Sequence, residues 1–522
     1  MAENRQTLYW LLAILSLAAV ARIPGVFWGA NFPEGWQEHH PDEYSHWVNA
    51  EPLINPRQSP RWQHPYPKGT ATHAAVPLIA VRALQGKLSA PVPEMSVIVT
   101  AGRVASVLYG VASVLVLFLW ARRLFSDPRT AMLAAGLFAL GGLHVTQSHF
   151  FLADVPALFW LLLGLYLLHA DLDQSDKAKL LPLSGAAFAF GAAFGIKLVI
   201  AGLIPLVLIA IWSRPRWIRA AQIAAFFIAG LIVINMGFFT PMDLFRVVTR
   251  GINDPWQFSR LNSAILYLAE LPSIVSLPVT LLGVAGAAWL ACRLFAPSSR
   301  KRLVPALLLT VVPLLVNLWV TVFKTDHFPR HLIPFIPWVC LAAAWALTRC
   351  ADWLAAKGIP RAVPVTIVFV YLGLFVYDGE RVFLNEPRND AARWLARNLA
   401  PGTALWWRGH SLHAFPNVNF PEKGRPQVIA IEMHSANHYL SDLGWKNTFP
   451  RDYRRIFGAG GSQEKVDQLQ SLFQGKSEYR ETVRFPEGYF MPEYVITDRL
   501  IGNRSRNYVA EITIFFKGSG EL

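Results

Sequence analysis

Uniformly apolar stretches separated by short basic loops run through the chain as far as Asp378. Segments such as 7–27, 180–212 and 332–347 are apolar on all sides and lack the stripe of a helix lying on a soluble core. A helix needs about 20 residues to cross a hydrocarbon layer of about 30 Å. On that measure the pattern predicts about eleven spans. They lie near residues 7–27, 99–120, 130–147, 155–170, 180–196, 198–212, 218–237, 273–292, 303–322, 332–348 and 364–378. The segment 74–90 is short, holds Arg82 and Lys87, and runs into Pro91 and Pro93.

The distribution of cations decides the status of 74–90. If it lies in the interface, one side of the membrane receives every short basic loop: Arg122, Arg123 and Arg129; Lys177 and Lys179; Arg214, Arg216 and Arg219; Arg293, Arg300, Lys301 and Arg302; Arg349, Lys357 and Arg361. The positive-inside rule makes that side cytoplasmic. The expectation is a cytoplasmic N-terminus, an external C-terminus and a long first external loop, 28–98, carrying an interfacial helix. Beyond 379 the apolar runs stop. Residues 1–379 read as a transmembrane catalytic domain and 380–522 as a small external α/β domain, with a helix at 389–399 and strands at 403–407, 427–431, 494–497 and 509–516.

Composition agrees: 53% of the 522 residues are hydrophobic and only 16% charged. The net charge of +14 is explained by topology rather than by nucleic acid, because the cations sit between apolar segments. Segment 1–22 reads as an uncleaved first span. Cys292, Cys340 and Cys350 form neither a disulfide framework nor a metal motif.

Candidate chemistry collects on the outer face. The first loop holds His39-His40-Pro41-Asp42-Glu43-Tyr44-Ser45-His46. Asp42 fits two roles, an N-cap of a helix starting at Glu43 or a general base that takes a proton from an attacking hydroxyl. The ligand types in this loop also permit a divalent cation, without matching a specific metal motif. The turn around Pro65, Pro67 and Gly69 presents Lys68, either to solvent or to a phosphate. His149 and Asp154 fall between the third and fourth spans, Asp154 again with an N-cap alternative. Lys197 lies between the fifth and sixth spans, and Arg330-His331 opens the tenth. Both cations have snorkelling to the interface as the plainer role. Carboxylates and cations on one face suit an anionic, lipid-linked substrate.

In order, these segments resemble the protein O-mannosyltransferase family and its bacterial relatives in the GT-C superfamily. The Pro41-Asp42-Glu43 loop is similar to that family's Asp-Glu motif, and Tyr66-Pro67-Lys68-Gly69 to its juxtamembrane turn. Gly102-Arg103 through Ser106, Ser148-His149 through Asp154-Val155-Pro156, Gly195-Ile196-Lys197 and Arg330-His331-Leu332-Ile333-Pro334 resemble its later motifs, with His331 where tyrosine is usual. Trp394-Leu395 and Pro401-Gly402 resemble the start of the external domain of bacterial members. The resemblance implies a GT-C-like polytopic helical fold and an inverting transfer from a polyprenyl-phosphate sugar to a glycan, lipid or protein acceptor. It implies Asp42 as base beside Glu43. Lys68, Tyr66, Lys197, Arg330 and His331 would lie at the donor phosphate, and Asp154, His149 and His40 around the acceptor. No MIR-type β-trefoil region is recognisable, which favours a bacterial inner-membrane enzyme. Two other readings compete. A transporter or flippase would be expected to show internal repeats. An oligosaccharyltransferase would carry an Asp after Trp406-Trp407, where this chain has Arg408.

Overall fold

The computed structural model describes residues 2–28, 40–55, 67–86, 94–172, 180–197, 202–212, 216–236, 260–294, 311, 314–315, 329–400, 402–408, 426–432, 471–486, 488–501 and 511–518. In chain order the helices are α1 (Ala2–Val20), α2 (Pro41–Ile54), α3 (Gly69–Leu84), α4 (Met95–Phe125), α5 (Pro128–Ala139), α6 (Gly142–Gln147), α7 (Asp154–Leu172), α8 (Leu180–Lys197), α9 (Leu203–Trp212) and α10 (Arg216–Ile234). There follow α11 (Arg260–Val275), α12 (Leu277–Leu294), a 3-10 turn (Pro329–Phe335), α13 (Ile336–Ala355), α14 (Ala362–Leu384), α15 (Pro387–Asn398) and α16 (Pro492–Ile501). The strands are β1 (Leu405–Arg408), β2 (Val428–Glu432), β3 (Tyr479–Phe485) and β4 (Ile512–Lys517).

Among the described residues, five helical segments are long and apolar enough to cross a membrane, or six if the pair α11 and α12, bent by 115°, is one span. The chain is a polytopic helical membrane protein. The segment 303–322 falls almost wholly outside the described residues. Several expected spans are interrupted. Segment 130–147 is broken between α5 and α6 at Gly141, segment 273–292 at Ser276 (φ +79°), and the tenth span opens with the 3-10 turn. α8 and α10 cross at a distance only glycine permits: a Cβ on Gly191 would lie 2.0 Å from the Phe227 carbonyl oxygen, and one on Gly230 2.1 Å from that of Phe188. α3 begins five residues earlier than the interfacial segment expected at 74–90. Its first half, Gly69–Ala75, is buried against α2 and α4, while most of its second half is exposed.

Proline opens α2, α5, α15 and α16, where its missing N–H costs nothing and its fixed φ suits the first turn. α15 packs on a four-stranded sheet ordered β1-β2-β4-β3, parallel only between β1 and β2. Ala391, Ala392 and Leu395 meet Val428, Ala430, Ile512 and Ile514 on one face; Ile429, Ile431 and Phe515 pack with Leu472 and Tyr479 on the other. The strand expected at 494–497 is instead part of α16. Its Tyr-Val-Ile-Thr run is too short to fix a period. Met491 and Tyr494 lie one turn apart and enter the core of the transmembrane helices, with Tyr494 stacked on Phe375. β3 was not expected from sequence, because its charged, mostly exposed side chains give no apolar run.

Candidate active site

Asp42 and Glu43 occupy the first turn of α2, where free N–H groups and the helix dipole favour negative charge. The N-cap is His40, not Asp42: the His40 Nδ1 accepts the Asp42 N–H at 3.1 Å. Pro41 suits the first helical position, so the helix starts two residues before the sequence suggested.

The neighbouring carboxylates have different partners. Glu43 is fully buried and accepts two parallel bonds from Arg103 of α4, at 2.8 and 2.7 Å, and a third from the Phe151 N–H at 2.8 Å. Both its oxygens are engaged, and it fastens α2 to α4 and to the turn before α7. Asp42 accepts from the Arg330 guanidinium, carried by the 3-10 turn, and keeps a side-chain exposure of 29%. Burial raises its pKa, but Arg330, together with the imidazoles of His40 and His46, outweighs that and holds the carboxyl well below the usual carboxylate range. His40 is buried against Phe150. Burial pulls its pKa down to about 3, assisted by Arg330 and Arg103 and opposed by Asp42. It is neutral at physiological pH.

Lys68 precedes α3 and is buried, its Nζ 3.5 Å from the Asn49 Oδ1 of α2. A Cβ on Gly69 would lie 2.9 Å from the Gly195 carbonyl oxygen and 2.8 Å from Ile196. The Lys68 turn therefore rests on the last turn of α8, which ends in Lys197. Lys197 pairs with Asp154, the first residue of α7. Asp42 and Arg330 thus form one pair and Lys197 and Asp154 another, with Lys68 beside Asn49 of α2 and its turn against the end of α8.

Two other candidates face elsewhere. His331 shares a hydrogen bond of 3.0 Å with the Tyr267 hydroxyl of α11. His149 pairs with Glu380 of α14, which also accepts from the Thr146 hydroxyl at 3.1 Å. Tyr66 and His39 lie outside the described residues. Among the described residues no group of three His, Cys, Asp or Glu side chains is placed to hold a metal ion.

Four buried residues escaped the sequence reading. Arg22, at the end of the first apolar run, is fully buried and bonds the Ser148 hydroxyl, the Ala18 and Ala139 carbonyls and the His144 ring. Glu386 and Arg388 form a buried pair at the start of α15. The Trp28 indole N–H donates to Glu386 at 2.7 Å, and its ring lies 5.3 Å from the Arg388 guanidinium and 5.8 Å from that of Arg103. A lone Arg at the end of an apolar run was the one available signal for Arg22; nothing local in the sequence linked Trp28 to residues 386–388.

Residues 89–248 match the family model described as dolichyl-phosphate-mannose-protein mannosyltransferase. The chain is 41% identical over 120 residues to the undecaprenyl phosphate-alpha-4-amino-4-deoxy-L-arabinose arabinosyl transferase of Pseudomonas aeruginosa strain LESB58, covering 22% of each chain. It is 33% identical over 162 residues to a second transferase of that description from Pseudomonas fluorescens, covering 30% of this chain and 24% of the relative. The match therefore spans about a fifth to a quarter of these relatives' length. Among solved structures, ArnT from Cupriavidus metallidurans in the apo state aligns over 98% of both chains at 15% identity with a TM-score of 0.47. Residues 89–248 are thus similar in sequence to the protein O-mannosyltransferases, the family that the order of the motifs resembles.

Proposed function

We propose that the chain is a membrane glycosyltransferase that moves one sugar from a polyprenyl-phosphate donor to a glycan, lipid or protein hydroxyl. The reaction takes place on the outer face of a bacterial inner membrane. In this reading 1–379 is the catalytic membrane domain, with its N-terminus cytoplasmic, and 380–522 is external. One observation carries the proposal: a carboxylate in the first turn of α2 is paired with Arg330, and the packed neighbouring elements bring Lys68 and Lys197.

The acceptor oxygen attacks the anomeric carbon on the face opposite the phosphate. The bond from that carbon to the phosphate oxygen breaks, its electron pair passes to the phosphate, and the configuration inverts. The hydroxyl proton goes to Asp42. Phosphate is a good leaving group and needs cations rather than an acid, a role for Lys68, Lys197 and Arg330. Arg330 gives this site a sequence of events. While it pairs with Asp42 the carboxylate is a poor base. A donor phosphate that draws the guanidinium toward itself restores basicity when the substrate is in place. Glu43, with both oxygens bonded, positions Asp42 rather than reacting.

Asp42→Asn is expected to lower kcat by roughly 10²- to 10⁴-fold with donor affinity retained. Lys68→Met is expected to raise the donor KM by about 10- to 100-fold. Turnover near wild type in Asp42→Asn would overturn the assignment of the base.

A further inference from the structure

Beside Lys68, at the junction of α2 and α3, several neutral polar atoms are buried without protein partners among the described residues. They are the Asn49 Nδ2, the Thr70 Oγ1 and both ring nitrogens of His73. Asn49, Thr70 and His73 are 0%, 1% and 8% exposed. Contacts bring them together. The Asn49 Oδ1 is within reach of the Lys68 Nζ at 3.5 Å. Thr70 and His73 follow Lys68 on α3, one turn apart. His46, one turn before Asn49 on α2, is near enough to His73 to influence its titration. The Tyr109 ring of α4 lies 4.7 Å from that of His73. Ala50, Ala71, Ala74 and Ala75 form the apolar contact between the same two helices, so polar residues are not needed there to pack them.

Buried polar atoms are nearly always satisfied, and a group of them left without protein partners marks a place where something else satisfies them. The chemistry of this group is specific. Burial holds the His73 pKa at about 3, so its ring is neutral and offers one donor and one acceptor. Thr70 both donates and accepts, and the Asn49 amide nitrogen donates. Such a mixed, uncharged set matches hydroxyl groups, which also donate and accept. A phosphate only accepts and calls for charge, which here is supplied by Lys68 at the edge of the group. We propose that Asn49, Thr70 and His73 bind the sugar of the donor through its hydroxyls, with Lys68 on the adjoining phosphate. This rests on the reading of the chain as a polyprenyl-phosphate-sugar transferase.

The test measures binding of two probes to the full-length protein in lipid nanodiscs. One is undecaprenyl phosphate. The other is a panel of undecaprenyl-phosphate sugars that includes glucosyl, mannosyl and 4-amino-4-deoxy-arabinosyl forms. The expected result is that at least one sugar lipid binds about tenfold tighter than the bare phosphate. Thr70→Val and His73→Phe, which keep side-chain shape, each remove most of that increment and leave bare-phosphate affinity within about twofold. Thr70→Ser, retaining the hydroxyl, preserves the increment, and Lys68→Met weakens both probes. Thermal unfolding of each variant identifies any that fails to fold, and the other variant then decides. An increment intact in the folded variants overturns the proposal. So does a wild type that binds the bare phosphate but gains nothing from any sugar, an outcome that leaves the lipid-phosphate reading standing. A wild type that binds neither probe overturns both.

Discussion

Asp42 and Glu43 differ in what surrounds them more than in chemistry, and their variants should fail in different ways. Glu43→Gln leaves Arg103 buried with a weakened partner. A loss of about 3–5 kcal/mol is expected, read as a lower unfolding temperature, with part of it recovered when Arg103→Met is added; additive losses in that double-mutant cycle would refute the coupling. The same group makes the fold sensitive to acid. Asp42, with a depressed pKa, contributes stability above about pH 4 that is lost as pH falls through its folded value. His40 stands at about 3 against 6.5 in the unfolded chain. Between those values the unfolded state binds a proton that the fold refuses, so stability falls as pH drops from about 6.5 toward 3. His40→Asn keeps an acceptor for the cap and should flatten that decline in a pH series of thermal melts; an unchanged slope would show that His40 does not contribute. Asp42 and Lys68 were legible as candidates because the sequence places them in a loop of unusual composition. The Glu43–Arg103 and His149–Glu380 pairs were not, because their members lie 60 and 231 residues apart and only the packing of helices joins them.

Helix ends carry the site, and they depend on how closely the helices cross. Lys197 and Asp154 meet because α7 and α8 are held together, and α8 is seated in turn on α10 at Gly191 and Gly230. Gly230→Val is expected to force the two helices apart at a cost of about 1–3 kcal/mol. It should also lower activity through Lys197, although residue 230 lies outside the site. A destabilised variant with full turnover would show that the end of α8 is not part of the machinery. The apolar pattern predicted most of these helices, since it reads length and hydrophobicity directly. It missed the breaks at Gly141 and Ser276 and the 3-10 turn that presents Arg330. A break within an apolar segment leaves composition almost unchanged. The misassigned strand at 494–497 has a related cause: a four-residue apolar run carries no period, and contact with Phe375 from a distant helix decided it as helix.

In the molecule as a whole, side-chain contacts among the described residues tie the region that carries the sheet to the membrane helices, two of them at Trp28 and at Glu493. At one, Trp28 lies near Arg103 and Arg388 and donates to Glu386. At the other, Glu493 of α16 accepts from the Leu277 N–H at 3.0 Å and the Tyr371 hydroxyl at 2.8 Å. The first contact links the start of α15 to Arg103, the partner of Glu43 beside Asp42. Arg388→Ala leaves the buried Glu386 without its cation, and is expected to cost about 3–5 kcal/mol and to speed protease cleavage near residue 400; an unchanged cleavage rate would show that this contact does not hold the sheet in place. The described strands all lie beyond the last apolar run, whereas these contacts rest on single side chains that no composition reports. Purified full-length protein is incubated with a panel of polyprenyl-phosphate sugars, and released polyprenyl phosphate is quantified together with the anomeric configuration of the transferred or hydrolysed sugar. Release from at least one donor, inversion at the anomeric carbon and loss of release in Asp42→Asn are expected. Lipid-linked sugar that crosses the membrane without cleavage of any donor would contradict this expectation.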